Sequence, residues 1–281
     1  LSFTEEELKT AKAIKVGKDA TLIMTDNADA RDTASTALDK VSGEGTVVLD
    51  YTVGNRDNGV GFDFSGLTGT VQVESGRVLL SSSKFNTAVD AIHPTFVLNS
   101  GNSQLVFNSE QGTELKSNVV LNADTTFHVN TSCKGTISGD ISGSGTLNKA
   151  GSGTLILTGN SRIGDLTISN GTVDLSGQLT LTNEISDNKN LSQLVGAGVL
   201  NLQLSGENSN WDKTISTGTE FTGEVQISKG CMTLDGSSVG KGKLVLMNDS
   251  VDIQLTTSKE ERTWEGNLEL RGTHDMHSNS G

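Results

Sequence analysis

Proline is almost missing from this sequence: Pro94 is the only one in 281 residues. Turns must therefore be built from Gly, Asn, Asp and Ser, and Gly alone accounts for 33 positions. Aromatic residues are scarce at 4%, too few for an ordinary compact globular core. Stacked Val, Ile and Leu can fill the narrow interior of a solenoid instead. No stretch approaches the roughly 20 apolar residues that a membrane helix needs, so membrane insertion of this segment is not expected. The two cysteines, Cys133 and Cys231, lie far apart with no C-x-x-C pair and no histidine at metal spacing, which argues against zinc. They read as two small buried residues more readily than as a disulfide. The chain starts at Leu1 and shows no signal peptide, as a processed protein or a fragment would.

Positive charge is also in short supply. The formal net charge is −13 and the pI about 4.7. Nucleic acid and anionic membrane surfaces are poor partners for such a chain. Hydrophobic residues at 33% are still more than a disordered chain usually carries, and they fall in short regular runs.

Those runs are clearest from Ile137 to Leu175. Thr154-Leu155-Ile156-Leu157, Leu166-Thr167-Ile168 and Thr172-Val173-Asp174-Leu175 alternate apolar with polar residues, and Gly143, Gly145, Gly151, Gly153, Gly159, Gly164 and Gly171 punctuate them. Period-two alternation with β-branched residues indicates strands, and Gly at each end indicates sharp turns. Leu147, Leu155, Leu157, Leu166, Ile168, Val173 and Leu175 are expected to share one core.

The same grammar recurs. Val41-Ser-Gly-Glu-Gly-Thr-Val, Ile141-Ser-Gly-Ser-Gly-Thr-Leu and Leu194-Val-Gly-Ala-Gly-Val-Leu align by eye. Second modules follow from Phe64, Ile163 and Phe221, and Ser117-Asn-Val-Val-Leu is echoed by Gly266-Asn-Leu-Glu-Leu. One strand pair cannot cover its own apolar face, whereas a further coil stacked upon it can. The expectation is an all-β, right-handed parallel β-helix. A β-sandwich or stacked-sheet array is the alternative. Residues 1–40 are expected to form an N-terminal cap segment and excursion loop, and residues 41–281 the repeat-built domain. Within the cap, Thr4, Glu5–Glu7, Leu8, Ala11 and Ile14 give a short helix signal, which competes with a leading strand.

Segment GSGTLNKAGSGTLILTGNS, followed by LTISNGTVDL, resembles the autotransporter-associated β-strand repeat. That family's repeats occur in secreted passenger domains and other large bacterial surface proteins. The resemblance implies a parallel β-helix at the bacterial cell surface, acting as a non-catalytic stalk or adhesin surface. It says little about activity, because β-helices carry adhesins, lyases and inert spacers alike.

Catalytic constellations are weak. None of the four histidines, His93, His128, His274 and His277, is expected to be catalytic. His128 alternates with Phe127 and Val129 and should point outward. Asp50, Asp57 and Asp63 lack the spacing of calcium loops. The expectation is no catalytic residue, no metal and no cofactor. Binding is more plausible in the segments that interrupt the repeat: Gly54–Gly61, Asn86–Pro94 and Gly206–Gly218. Trp211 lies among Asn208, Asn210 and Asp212, where an indole could stack on a sugar ring while polar groups take its hydroxyls. Asn55, Asp57 and Asn58 form a second polar loop. Partners would be a host or environmental glycan, or a protein at the cell surface. The alternative function is a glycan-binding module appended to a carbohydrate-active enzyme.

Overall fold

The computed structural model describes residues 2–4, 13–25, 41–51, 60–61, 66–80, 93–205, 213–234, 237–256, 267–274 and 276–279. Among them there is no helix, and every strand pairing is parallel. The chain is a parallel β-solenoid.

Its first ladder runs unbroken from Ser2–Thr4 to Asn267–Leu270. Thr21–Thr25 follows Ser2–Thr4, then Thr46–Asp50, the first half of Thr70–Leu80, Thr95–Leu98, Val119–Leu121 and Ile141–Gly143. Asn160–Ile163, Gln178–Leu181, Val199–Leu202, Glu224–Ile227, Lys243–Leu246 and the last strand complete it. A second ladder includes the latter half of Thr70–Leu80, Ser103–Phe107, Thr125–Val129, Thr146–Ala150 and Asp165–Ile168. It is found again at Gly230–Thr233 and Val251–Thr256. The third ladder is formed by Thr113–Leu115, Lys134–Ile137, Thr154–Leu157, Thr172–Leu175 and Leu194–Val195. Nearer the N-terminus, Ile14–Val16 and Val41–Gly43 occupy the same place in their coils.

Each strand alternates inward and outward, so each ladder sends a column of side chains inside. On the first ladder the column reads Leu22, Val47, Val71, Phe96, Val119 and Ile141. All six are buried, and they belong to one continuous apolar cluster along the solenoid. Burying such a side chain is worth about 1.5–3 kcal/mol, which is how coils with few aromatics hold together. Ser161 enters the column after Ile141 and remains satisfied, donating no charge to the core while its Oγ accepts the Ile141 N–H at 3.1 Å.

Six of the seven expected core residues are fully enclosed: Leu147, Leu155, Leu157, Leu166, Val173 and Leu175. Ile168 is half-buried and packs against the edge of the cluster. It ends its strand at the turn Ser169–Gly171, where the alternation runs out. Regular structure also starts before Val41, since strands at Ser2–Thr4, Ile14–Val16 and Thr21–Thr25 stack on the later coils. Ser2–Thr4 is strand rather than the start of a helix, because its backbone pairs with Ile23–Thr25. Residues 5–12 of the helix signal lie outside the described residues.

Candidate functional site

Trp211, Asn208, Asn210 and Asp212 lie outside the described residues, as do Asn55, Asp57 and Asn58. The residues that bracket these segments are described. Segment 206–212 leaves after Leu204, which bridges to Ile185, and returns at Lys213 and Ile215–Thr217. Segments 81–92 and 257–266 likewise leave from the second ladder, after Leu80 and Thr256, and return to the first ladder at Thr95 and Asn267. Three interruptions therefore depart from one side of the coil, after the second ladder. Segment 52–59 departs from a different corner, between Thr46–Asp50 on the first ladder and Val60–Gly61 beside the second.

The described chemistry concentrates at one corner, where the second ladder turns toward the third. Thr146–Ala150 alternates Thr-Leu-Asn-Lys-Ala, so Lys149 shares the inward side with Leu147. Its neighbours in the ladder are Phe127 and Ile168. Lys149 is completely enclosed. Its ammonium bends back to the corner and donates to the carbonyls of Ala150 at 2.8 Å, Gly151 at 2.7 Å and Asn170 at 3.1 Å. Two coils are thus joined by one side chain. A lysine at an inward position needs such partners, because an unpaired buried charge is costly. Burial nevertheless pulls its pKa down to about 8.

His128 stands on the outer side of the same corner and is half-buried. A Cβ added to Gly151 would come within 2.9 Å of its Nε2. Burial, then the charges of Arg77 and Lys149, lower its pKa, opposed by a hydrogen bond with Asn130. Next along the chain, Gly171 adopts a φ of 75°, and a Cβ there would lie 2.4 Å from the Gly153 carbonyl. Only glycine fits. Its N–H donates to the Asn170 side-chain Oδ1 at 2.8 Å.

The remaining candidates are dispersed. His274 holds both ring nitrogens against backbone carbonyls, Val251 at 2.7 Å and Arg271 at 3.1 Å. His93, at the end of the Asn86–Pro94 loop, leaves Nε2 buried without a hydrogen bond. Among the described residues no three His, Cys, Asp or Glu side chains gather as a metal site. Cys133 and Cys231 are both buried. Burial raises the Cys133 thiol's pKa, which keeps it a neutral packing group. Outward on the first ladder, Lys243 bridges Glu224 and Glu269, each at 2.7 Å, and Arg271 adds a 2.6 Å contact to Glu269. No helix among the described residues is long and apolar enough to cross a membrane.

Comparison with protein families, with characterised proteins and with solved structures finds no match for this chain.

Proposed function

We propose that this chain is a non-catalytic β-solenoid segment of an extracellular bacterial surface protein, serving as a stalk or adhesin surface. One observation carries the proposal. Apart from a one-residue shift between Leu49 and Asp50, the first ladder keeps its register across coils that differ by several residues in length, while three long interruptions leave from one side. A stack that tolerates insertions without losing register suits a scaffold that displays segments. The resemblance of Ile137–Leu175 to the autotransporter-associated repeat supports the same setting.

A glycan-binding module appended to a carbohydrate-active enzyme is the second reading, favoured by Trp211 amid Asn208, Asn210 and Asp212. A glycan array run beside turnover assays on common polysaccharides separates the two. The scaffold proposal expects no turnover and no glycan binding that depends on Trp211. Binding lost in Trp211→Ala, with melting unchanged, moves the function to the second reading. Turnover by the purified chain overturns both.

A further inference from the structure

The Lys149 corner holds an Asn-Gly peptide. Asn170 is exposed, is followed by Gly171, and carries its carboxamide against the Gly171 nitrogen through the 2.8 Å hydrogen bond to Oδ1. Gly171 has no side chain to shield that nitrogen. The carbonyl of the same peptide, Asn170 O, receives the Lys149 ammonium at 3.1 Å. We propose that Asn170–Gly171 is a self-modifying site, at which Lys149 promotes closure of the Asn170 side chain onto the Gly171 nitrogen.

The bonds balance with water as the only co-reactant. The Gly171 N–H gives its proton to solvent, and the nitrogen attacks Cγ of Asn170. A Cγ–N bond forms, the Cγ–Nδ2 bond breaks, and Nδ2 departs as ammonia after taking a proton from solvent. The product is a five-membered succinimide. Water then adds to one of its two carbonyls. Opening at Cγ leaves aspartate at 170, and opening at the main-chain carbonyl leaves isoaspartate. Nothing is oxidised or reduced.

Lys149 acts on the first step. When the Gly171 nitrogen loses its proton, the negative charge spreads onto Asn170 O. The ammonium already donates to that oxygen, so it stabilises the charge where it develops. Its two other bonds, to Ala150 O and Gly151 O, fix it there before reaction. The burial that draws the Lys149 pKa down to about 8 reflects the low-dielectric surroundings that strengthen this contact. The consequence is local. Aspartate would add a negative charge beside the buried ammonium, and isoaspartate would lengthen the main chain at a corner with no spare room.

Peptide mapping by mass spectrometry tests the proposal on the intact chain at neutral pH. Conversion at Asn170 is expected to be faster in the folded chain than in the same chain unfolded in urea. Lys149→Met is expected to slow the folded rate about tenfold, less than the loss of a fully buried oxyanion donor because Asn170 is exposed. Lys149→Arg, which keeps the charge, should retain much of the rate. Slower conversion in the folded wild type than in urea overturns the proposal without any variant. So does an unchanged rate in a Lys149→Met protein that melts normally.

Discussion

Residues 41–49 and 141–149 carry nearly the same words, VSGEGTVVL and ISGSGTLNK, yet they turn different corners. Val41–Gly43 lies beside Ile14–Val16 and leads onto the first ladder at Thr46. Ile141–Gly143 is already on the first ladder and leads onto the second at Thr146. The local geometry is shared. Gly43 and Gly143 have φ of 115° and 117°. Gly45 N donates to Val16 O at 3.1 Å, and Gly145 N donates to Leu121 O at 3.0 Å. Leu194–Val199 repeats the device, with Gly196 at 103° and Gly198 N bonded to Leu175 O at 2.8 Å. The motif therefore specifies a bend against the coil beneath and carries no address within the coil. A solenoid can reuse it because every corner faces the same problem. A strand must leave its ladder with the backbone almost touching the previous carbonyl.

The inward residues just past each bend should give the largest effects. Val47→Asp and Leu147→Asp each place a charge in the enclosed column, and each should cost roughly 4 kcal/mol or more. Urea unfolding of both checks this, and a large loss in only one would show that the corners are not equivalent. Ile168→Asp should cost clearly less than Leu147→Asp, since Ile168 is half-buried at its strand end.

Glycine replacement comes next. An alanine Cβ at Gly43 or Gly143 would sit 2.2 Å or 2.1 Å from the carbonyl of Val16 or Leu121, at a φ that L residues avoid. Gly43→Ala and Gly143→Ala should each lose at least about 1–3 kcal/mol. Gly101, whose added Cβ would meet nothing closer than 3.6 Å, should accept alanine within about 1 kcal/mol.

The two segments part company at Leu49 and Lys149, both inward and both fully enclosed. The comparison becomes a pH experiment. Burial holds the folded Lys149 pKa at about 8, below its ordinary 10.5. Between those values the unfolded chain keeps a proton that the folded chain has lost, so stability rises with pH across that window. Below pH 8 the burial penalty is constant. Lys149→Leu should flatten the rise, as measured by urea unfolding at a series of pH values. The smallest effect is expected for Glu44→Ser and Ser144→Glu, which exchange the exposed residue of the motif. Each should stay within about 0.5 kcal/mol.

Much of the fold was legible in the residues, and for a definite reason. Parallel stacking, the Gly corners and the core positions Leu147 to Leu175 all follow from alternation and turn chemistry, which act locally. The place of each aligned motif within the coil was not legible. A motif that encodes only a bend cannot reveal which ladder it leaves. Ile168 sits shallower than the alternation predicts, because alternation says nothing about where a strand stops. Lys149 is hard to read as an inward residue because a charged side chain in Thr-Leu-Asn-Lys-Ala looks solvated, although its parity with Leu147 points inward. The carbonyls that satisfy it come partly from the next coil, 21 positions away at Asn170. Trp211 and its neighbours stand out in the sequence by the oddity of an indole among polar residues, a signal about chemistry that carries no geometry.

Disulfide trapping of ladder partners tests most directly whether one motif serves two corners. In a background without Cys133 and Cys231, outward pairs at one rung's spacing have Cα separations compatible with a disulfide. The register expects Lys15→Cys to trap Ser42→Cys, and Val120→Cys to trap Ser142→Cys. It places Ile23 beside Val48 instead, on the first ladder. Efficient trapping of the first two pairs, with none between Ile23→Cys and Ser42→Cys, is the expected result. If Ser42→Cys pairs with Ile23→Cys and not with Lys15→Cys, the two motifs occupy the same corner and the account is wrong.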